Sequence, residues 1–165
     1  MLVGSFSSNY FGIPRSTEDA DFVIEVGPDT IARIAERLAP PLRIDRKMSF
    51  ETVTMTIRNV VSIDGNAFKV ELFHLDDGEF SQTRLQRRHR LAFHGRQAWF
   101  PSVEDVVVQK LRWLGLGNRD KDRGDLRDIL HVCHGRIDWP YVHGWAGKHG
   151  TRALLDDLRA HLPEV

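Results

Sequence analysis

Residues 4 to 26 read GSFSSNYFGIPRSTEDADFVIEV. A Gly-Ser pair, small polar residues, an Arg-x-Thr and an Asp-x-Asp crowd ahead of one apolar stretch, ADFVIEV, which is short and apolar enough to be a central β-strand. Side chains two apart on a strand point to the same side, so Asp19 and Asp21 stand together at its start. Two carboxylates that close are costly unless a divalent cation lies between them, and hard carboxylate oxygens suit magnesium. A solvated strand entry could carry the same pair, so the neighbouring residues have to separate the two readings.

Those neighbours offer anion chemistry. Gly4-Ser5 closes a short first strand over residues 1 to 4; the glycine lets backbone N–H groups approach an anion, and the serine hydroxyl adds a donor. Ser7, Ser8 and Asn9 lead into a helix start, a favourable place for phosphate, although helix capping uses the same residues. A phosphate cradle and a carboxylate pair are therefore joined by one short helix and a turn.

Outward from this stretch, Gly27-Pro28-Asp29 opens a helix with Ile31, Ile34, Ala35 and Leu38 on one face, and Pro40-Pro41 stops it. From residue 51 the period becomes two: Val53, Met55 and Ile57 alternate with Thr52, Thr54, Thr56 and Arg58, as on a half-buried antiparallel strand. Asp64-Gly65-Asn66 is a hairpin signal, and AFKVELFHL returns. The second half is helical. Ser102 with Asp105 three residues on caps a stripe of Val103, Val106, Val107, Leu111 and Leu114; Leu126, Ile129, Leu130 and Cys133 mark a second helix. Asp138-Trp139-Pro140 opens a third, and Thr151 caps a last one. The expectation is an α+β protein, a single domain over 1–165, with a sheet core at 1–98 and a helical segment at 99–165.

Composition narrows the function classes. The 165 residues hold 23 Lys+Arg and 23 Asp+Glu, so bulk attraction to nucleic acid or anionic membrane is not supported. Distribution matters more: residues 1 to 30 set five acids against Arg15, whereas RLQRRHRLAFHGR (84 to 96) holds five arginines, two histidines and no acid. Cys133 is the single cysteine, which rules out an internal disulfide and a thiolate zinc site. No apolar run approaches the roughly 18 residues of a membrane span, so a cytoplasmic protein is expected. Trp99, Trp113, Trp139 and Trp145 read as core and helix-packing anchors, and Asp122, Asp125 and Asp128 as helix-start and surface charges.

The order Gly4-Ser5, short helix, Gly12-x-Pro14-Arg15-x-Thr17-x-Asp19-x-Asp21 and apolar strand resembles the nucleotidyltransferase (polymerase-beta-like) fold, in particular the minimal proteins of abortive-infection and toxin–antitoxin systems. PSVEDVVVQKLRWL followed by RDKDRGDLRDIL is similar to that family's Glu-Asp and Lys-Leu stretch and the Asp-rich helix after it. The family generally has a helix before its first strand, whereas here Gly-Ser arrives at residue 4.

The resemblance implies a reaction: a nucleoside monophosphate passes from a nucleoside triphosphate (NTP) to a hydroxyl, with magnesium, as one ion or two, held by carboxylates. Asp19 and Asp21 would be metal ligands, and Gly4 and Ser5 would hold the β and γ phosphates. Glu71 in KVELF would be the third carboxylate, with an ion pair to Lys69 or an arginine as its alternative. Lys110 continues the apolar stripe of its helix, so it either snorkels past the core or meets phosphate. Arg15 would clamp phosphate or base, and Thr17 would join the nucleotide side or hold the turn. The acceptor would be RNA, transfer RNA (tRNA) first because of the Arg84 to Arg96 strip, or a protein. A catalytically weak binding or antitoxin partner and a small-molecule adenylyltransferase are the other two readings.

Overall fold

A computed structural model describes residues 1–52 and 55–162. The chain divides into two compact units: one takes in Met1–Phe6 and Ser16–Phe100, the other Ser7–Arg15 and the chain from Pro101 onward.

The first unit is built on a mixed sheet of β1 (Leu2–Val3), β2 (Asp19–Ile24), β3 (Leu42–Ile44), β4 (Ser49–Glu51), β5 (Thr56–Ile63) and β6 (Asn66–His74). Their order is β1-β2-β6-β5-β3, with β4 also paired to β5. β2 and β6 run parallel and every other pair is antiparallel. The ADFVIEV strand is thus central, as its apolar content implies, and the Asp64-Gly65 turn joins β5 to β6 as expected. Helix α1 (Gly4–Phe11) starts directly after β1, and α2 (Thr30–Arg37) lies between β2 and β3. Leu2, Val3, Ala20, Val23, Val61 and Leu72 form the buried centre.

In two places the structure differs from the sequence expectation. Val53 and Thr54 lie outside the described residues, and β5 begins only at Thr56, with Met55 and Ile57 exposed. The alternation holds further along, where Asn59 and Val61 take the buried side; Asn59 is tolerated there because its amide donates to the Asp45 carbonyl and its oxygen meets His74 Nε2 at 2.8 Å. Beyond β6, the basic stretch is ordered as helix α3 (Glu79–Gln86) and a separate hairpin of β7 (His89–Phe93) and β8 (Arg96–Phe100). Its arginines obscure a period-two pattern in which Leu91, Phe93 and Phe100 share a face.

The second unit holds α4 (Val103–Gly117), α5 (Asp120–Cys133), α6 (Trp139–Lys148) and α7 (Arg152–Ala160). The expected stripes are buried apart from the half-buried Val103: Val106, Val107, Leu111 and Leu114 on α4, and Leu126, Ile129, Leu130 and Cys133 on α5; on α7, Leu155 and Leu158 are buried. Each large apolar side chain so buried contributes about 1.5–3 kcal/mol. Ser102 caps α4 by accepting from the Asp105 N–H at 3.2 Å, and its hydroxyl donates to Asp105 Oδ2 at 2.8 Å. Thr151 is the N-cap residue of α7, as expected, but makes no side-chain capping bond; its hydroxyl donates back to the Ala146 carbonyl at 3.5 Å. No described helix is long and apolar enough to cross a membrane.

Candidate active site

In the first unit the site grows from the β1–α1 junction. Val3 pairs with Asp21 across the antiparallel β1–β2 ladder, so the Asp21 side chain stands beside the residue at which β1 becomes α1. That residue is Gly4, with φ +61°, and a Cβ there would run into Asp21 Oδ2 and lie 2.8 Å from its Cγ. Glycine is therefore required twice, by the left-handed backbone and by the carboxylate packed on it. Ser5 follows, buried in the first turn of α1. The two parts of the opening stretch meet here: the Gly-Ser turn and the Asp-x-Asp strand are in contact.

Asp19 and Asp21 are half-buried on one face of β2. Thr17, expected on the nucleotide side or in the turn, donates its hydroxyl to Asp19 Oδ1 at 2.7 Å and so orients the first carboxylate. Glu71 lies opposite Asp21 in the parallel β2–β6 register, which puts both on one face of the sheet. Its Oε2 accepts from Arg58 Nη1 at 2.6 Å, and Arg58 also lies 5.8 Å from the Phe73 ring centroid. The ion pair weighed as the alternative for Glu71 is present, with Arg58 as the partner; register predicts it, because Arg58 sits diagonally across β5–β6 from Glu71.

The donor chemistry of Asp19 and Asp21 fits a hard divalent cation such as magnesium. Among the described residues no three His, Cys, Asp or Glu side chains are gathered to hold a metal ion, and Glu71 is engaged by Arg58. The pair that fits is Asp19 with Asp21.

The other two candidate residues belong to the second unit. Arg15 is fixed at both ends: the Asn9 side chain donates to its carbonyl at 2.7 Å and accepts from its N–H at 3.1 Å, and its guanidinium forks onto Asp125 at 2.7 and 3.1 Å. Lys110, only 3% exposed, donates through Nζ to Asp122 Oδ1 at 2.8 Å and Asp125 Oδ2 at 2.6 Å. Arg119 completes the set on Asp122 Oδ2 at 2.6 Å, and the Trp113 ring lies under both Lys110 and Arg119. The ammonium that was to meet phosphate or snorkel is thus held between two acids. Burial pushes the Asp125 carboxyl up, but the hydrogen bonds and charges of Arg15 and Lys110 outweigh it and hold the group below the usual carboxylate range.

Asp122 and Asp125 correct the expectation of surface charges, since both are buried while Asp128 is half-buried. A signal was available: positions 122, 125, 126, 129 and 133 follow the i, i+3, i+4, i+7 rhythm of one helix face, so the two acids extend the apolar stripe. The tryptophans also divide. Trp145 is buried as an anchor should be, whereas Trp99 is 43% exposed.

The architecture is the nucleotidyltransferase fold, a small mixed sheet with flanking helices followed by a helical segment. Two solved structures align with nearly the whole chain. One is the antibiotic-resistance factor ANT(2'')-Ia, solved in solution, with TM-score 0.57 and 10% identity over 97% of this chain and 86% of its own. Another is an antigenic nucleotidyltransferase-like protein from Paracoccidioides brasiliensis, with TM-score 0.53 and 17% identity over 95% and 82%. Likeness at such identities concerns the fold. No family model matches the chain, and no curated protein matches it in sequence.

Proposed function

We propose that the protein is a magnesium-dependent nucleotidyltransferase that moves a nucleoside monophosphate from an NTP to a hydroxyl acceptor. The observation that carries this reading is the Asp21 carboxylate packed on Gly4, with Asp19 beside it on the same strand face. That contact brings the turn suited to phosphate and the acids suited to metal to one place on one strand pair.

The chain's own residues divide the work. Asp19 and Asp21 would hold magnesium, which when bound offsets triphosphate charge. Thr17 fixes the Asp19 rotamer. The turn at Gly4 and Ser5 offers backbone and hydroxyl donors to the β and γ phosphates. Arg58 neutralises Glu71 and keeps its charge from adding to that of Asp21. In the reaction the acceptor oxygen bonds to the α-phosphorus as the bond to pyrophosphate breaks, and the hydroxyl proton leaves to water.

An RNA acceptor, tRNA first, suits the basic strip from Arg84 to Arg96, in a toxin–antitoxin or abortive-infection setting within the cytoplasm; a partner protein is the other macromolecular acceptor. The test is incubation with α-labelled NTPs, magnesium and total RNA or lysate, beside Asp19→Asn. That variant keeps the oxygen that accepts from Thr17 and removes the charge. Label transfer should fall at least ~100-fold, a barrier change of about 3 kcal/mol; equal transfer by both proteins would defeat the assignment.

The Glu71–Arg58 pair favours a second reading, a fold kept for binding without turnover or as an antitoxin partner. Titration calorimetry with magnesium and each triphosphate separates the two, because a scaffold without a working site takes up neither. A small-molecule adenylyltransferase ranks third, and an aminoglycoside arm in the same transfer assay tests it.

A further inference from the structure

The β7–β8 hairpin has two unlike faces. A two-residue turn, His94-Gly95 with φ +47° and +74°, joins its strands; positive φ at both positions is the tight hairpin turn that sets the register of everything above it. One face packs: Phe93 and Phe100 meet edge-on at 5.5 Å, and Phe100 is fully buried. The opposite face puts Arg90 directly across from Trp99, with Ala92 and Gln97 the next pair along. The Trp99 indole is 43% exposed, and two guanidiniums lie against its ring, Arg88 at 4.8 Å and Arg90 at 5.7 Å from the centroid. Arg88 is steadied by a hydrogen bond from Nη1 to the Leu85 carbonyl at 2.5 Å. Among the described residues, Arg88, Arg90 and Arg96 have no carboxylate partner.

Trp99 with Arg88 and Arg90 against its ring makes a surface that is aromatic and cationic at once. Aromatic rings on which bases stack, interleaved with cations that track phosphates, make up the recognition chemistry of single-stranded nucleic acid. Because the whole chain is neutral, any attraction to a polyanion has to be local, and this is where the basic residues gather. We propose that the outer face of the β7–β8 hairpin docks single-stranded RNA, with a base stacked at Trp99 and phosphates on Arg88 and Arg90. The choice of RNA over DNA rests on the transfer reading above, since every ribose of RNA carries a hydroxyl acceptor; the docking itself does not.

The test uses the full chain and fluorescein-labelled 15-mers: oligoadenylate RNA, its DNA counterpart and an abasic oligomer of equal length, followed by anisotropy across a salt series. Trp99→Ala should weaken RNA binding about tenfold or more and leave the salt slope unchanged, because stacking carries no counterion release. Trp99→Phe should recover most of the loss. Removing Arg88 and Arg90 together should flatten the slope of log K against log salt by about 1.4, at roughly 0.7 per phosphate contact. The anisotropy is read without NTP or magnesium, so a failed transfer reaction and a failed docking surface are told apart. Equal affinity for the abasic oligomer, an unaffected Trp99→Ala, or no oligonucleotide binding at all would each overturn the proposal, the last pointing instead to an acidic protein partner; comparable affinity for the DNA counterpart is expected, because stacking and phosphate contacts do not read the ribose.

Discussion

Each compact unit holds a pair of aspartates, and the two pairs differ in burial. In the second unit Asp122 is fully buried and Asp125 5% exposed, and Lys110, Arg15 and Arg119 engage their oxygens at 2.6 to 3.1 Å. In the first unit Asp19 and Asp21 are half-buried and adjacent, with Thr17 as the donor to Asp19. A charge inside a low-dielectric interior costs several kcal/mol unless its partners are in place. The buried acids therefore have to be saturated by the chain. Half-buried acids on a strand stay close enough to water to exchange a solvent shell for a cation. The first kind of cluster fixes one conformation, and the second is suited to a ligand.

Lys110→Met is the severest way to break this contrast. It deletes the cation that two buried carboxylates share, and such losses typically cost 3–5 kcal/mol. In a chain of this size the melting temperature should fall by on the order of 10 °C by circular dichroism. Asp19→Asn should shift it far less. A Lys110→Met melting temperature within 2 °C of the parent would show that the buried network is not structural. Acid titrates the same network. The folded Asp125 lies below its unfolded value of about 3.9, so its stabilisation is fully present above that pH and is lost as pH falls toward the folded value. Stability measured by urea unfolding should therefore hold between pH 8 and 5 in this respect and drop below about pH 4, and Asp125→Asn should flatten that drop.

Gly4→Ala tests the first unit. Positive φ alone costs an alanine about 1–2 kcal/mol, and the same penalty applies at Gly65, where φ is +76° and a Cβ would meet nothing within 4 Å. Gly65→Ala serves as the control for the backbone penalty: Gly4→Ala should lose at least as much stability, and only Gly4→Ala displaces the Asp21 carboxylate. Label transfer per folded molecule should fall about tenfold or more in Gly4→Ala, equivalent to ~1.4 kcal/mol, and stay unchanged in Gly65→Ala. Parallel losses in both would mean that the Gly4–Asp21 contact matters only for folding.

How much of this was legible in the sequence follows from the range of each interaction. The Asp19–Asp21 strand and the stripes of α4 and α5 depend on residues two to four apart, which local periodicity reports. β3 and β4 are three residues each, too short for a pattern to accumulate. The Lys110 partners are 12 and 15 positions away and the Arg15–Asp125 pair spans 110, so pairing of these charges is decided by packing and not by any local motif. Trp99 was misjudged for a different reason. Aromatic content suggests core, but parity decides, and Trp99 alternates with the buried Phe100 on β8.

The smallest effect separates orientation from ligation within the strand cluster. Thr17→Val keeps the shape of the side chain and deletes one O–H, the group that donates to Asp19 Oδ1. The lost hydrogen bond to a charged oxygen is worth about 1.5 kcal/mol. Part of that should appear in stability and part in transfer, with kcat lowered several-fold. If Thr17 acts by fixing the Asp19 rotamer, higher magnesium concentration should recover part of the loss, since the carboxylate remains and only its preorganisation is weaker. Thr17→Ser should restore transfer in full, because the hydroxyl returns at the same reach. Recovery by magnesium in Thr17→Val but not in Asp19→Asn would assign Asp19 as the ligand and Thr17 as the residue that positions it. Transfer indifferent to both substitutions would return the strand pair to the solvated entry that an isolated Asp-x-Asp can be.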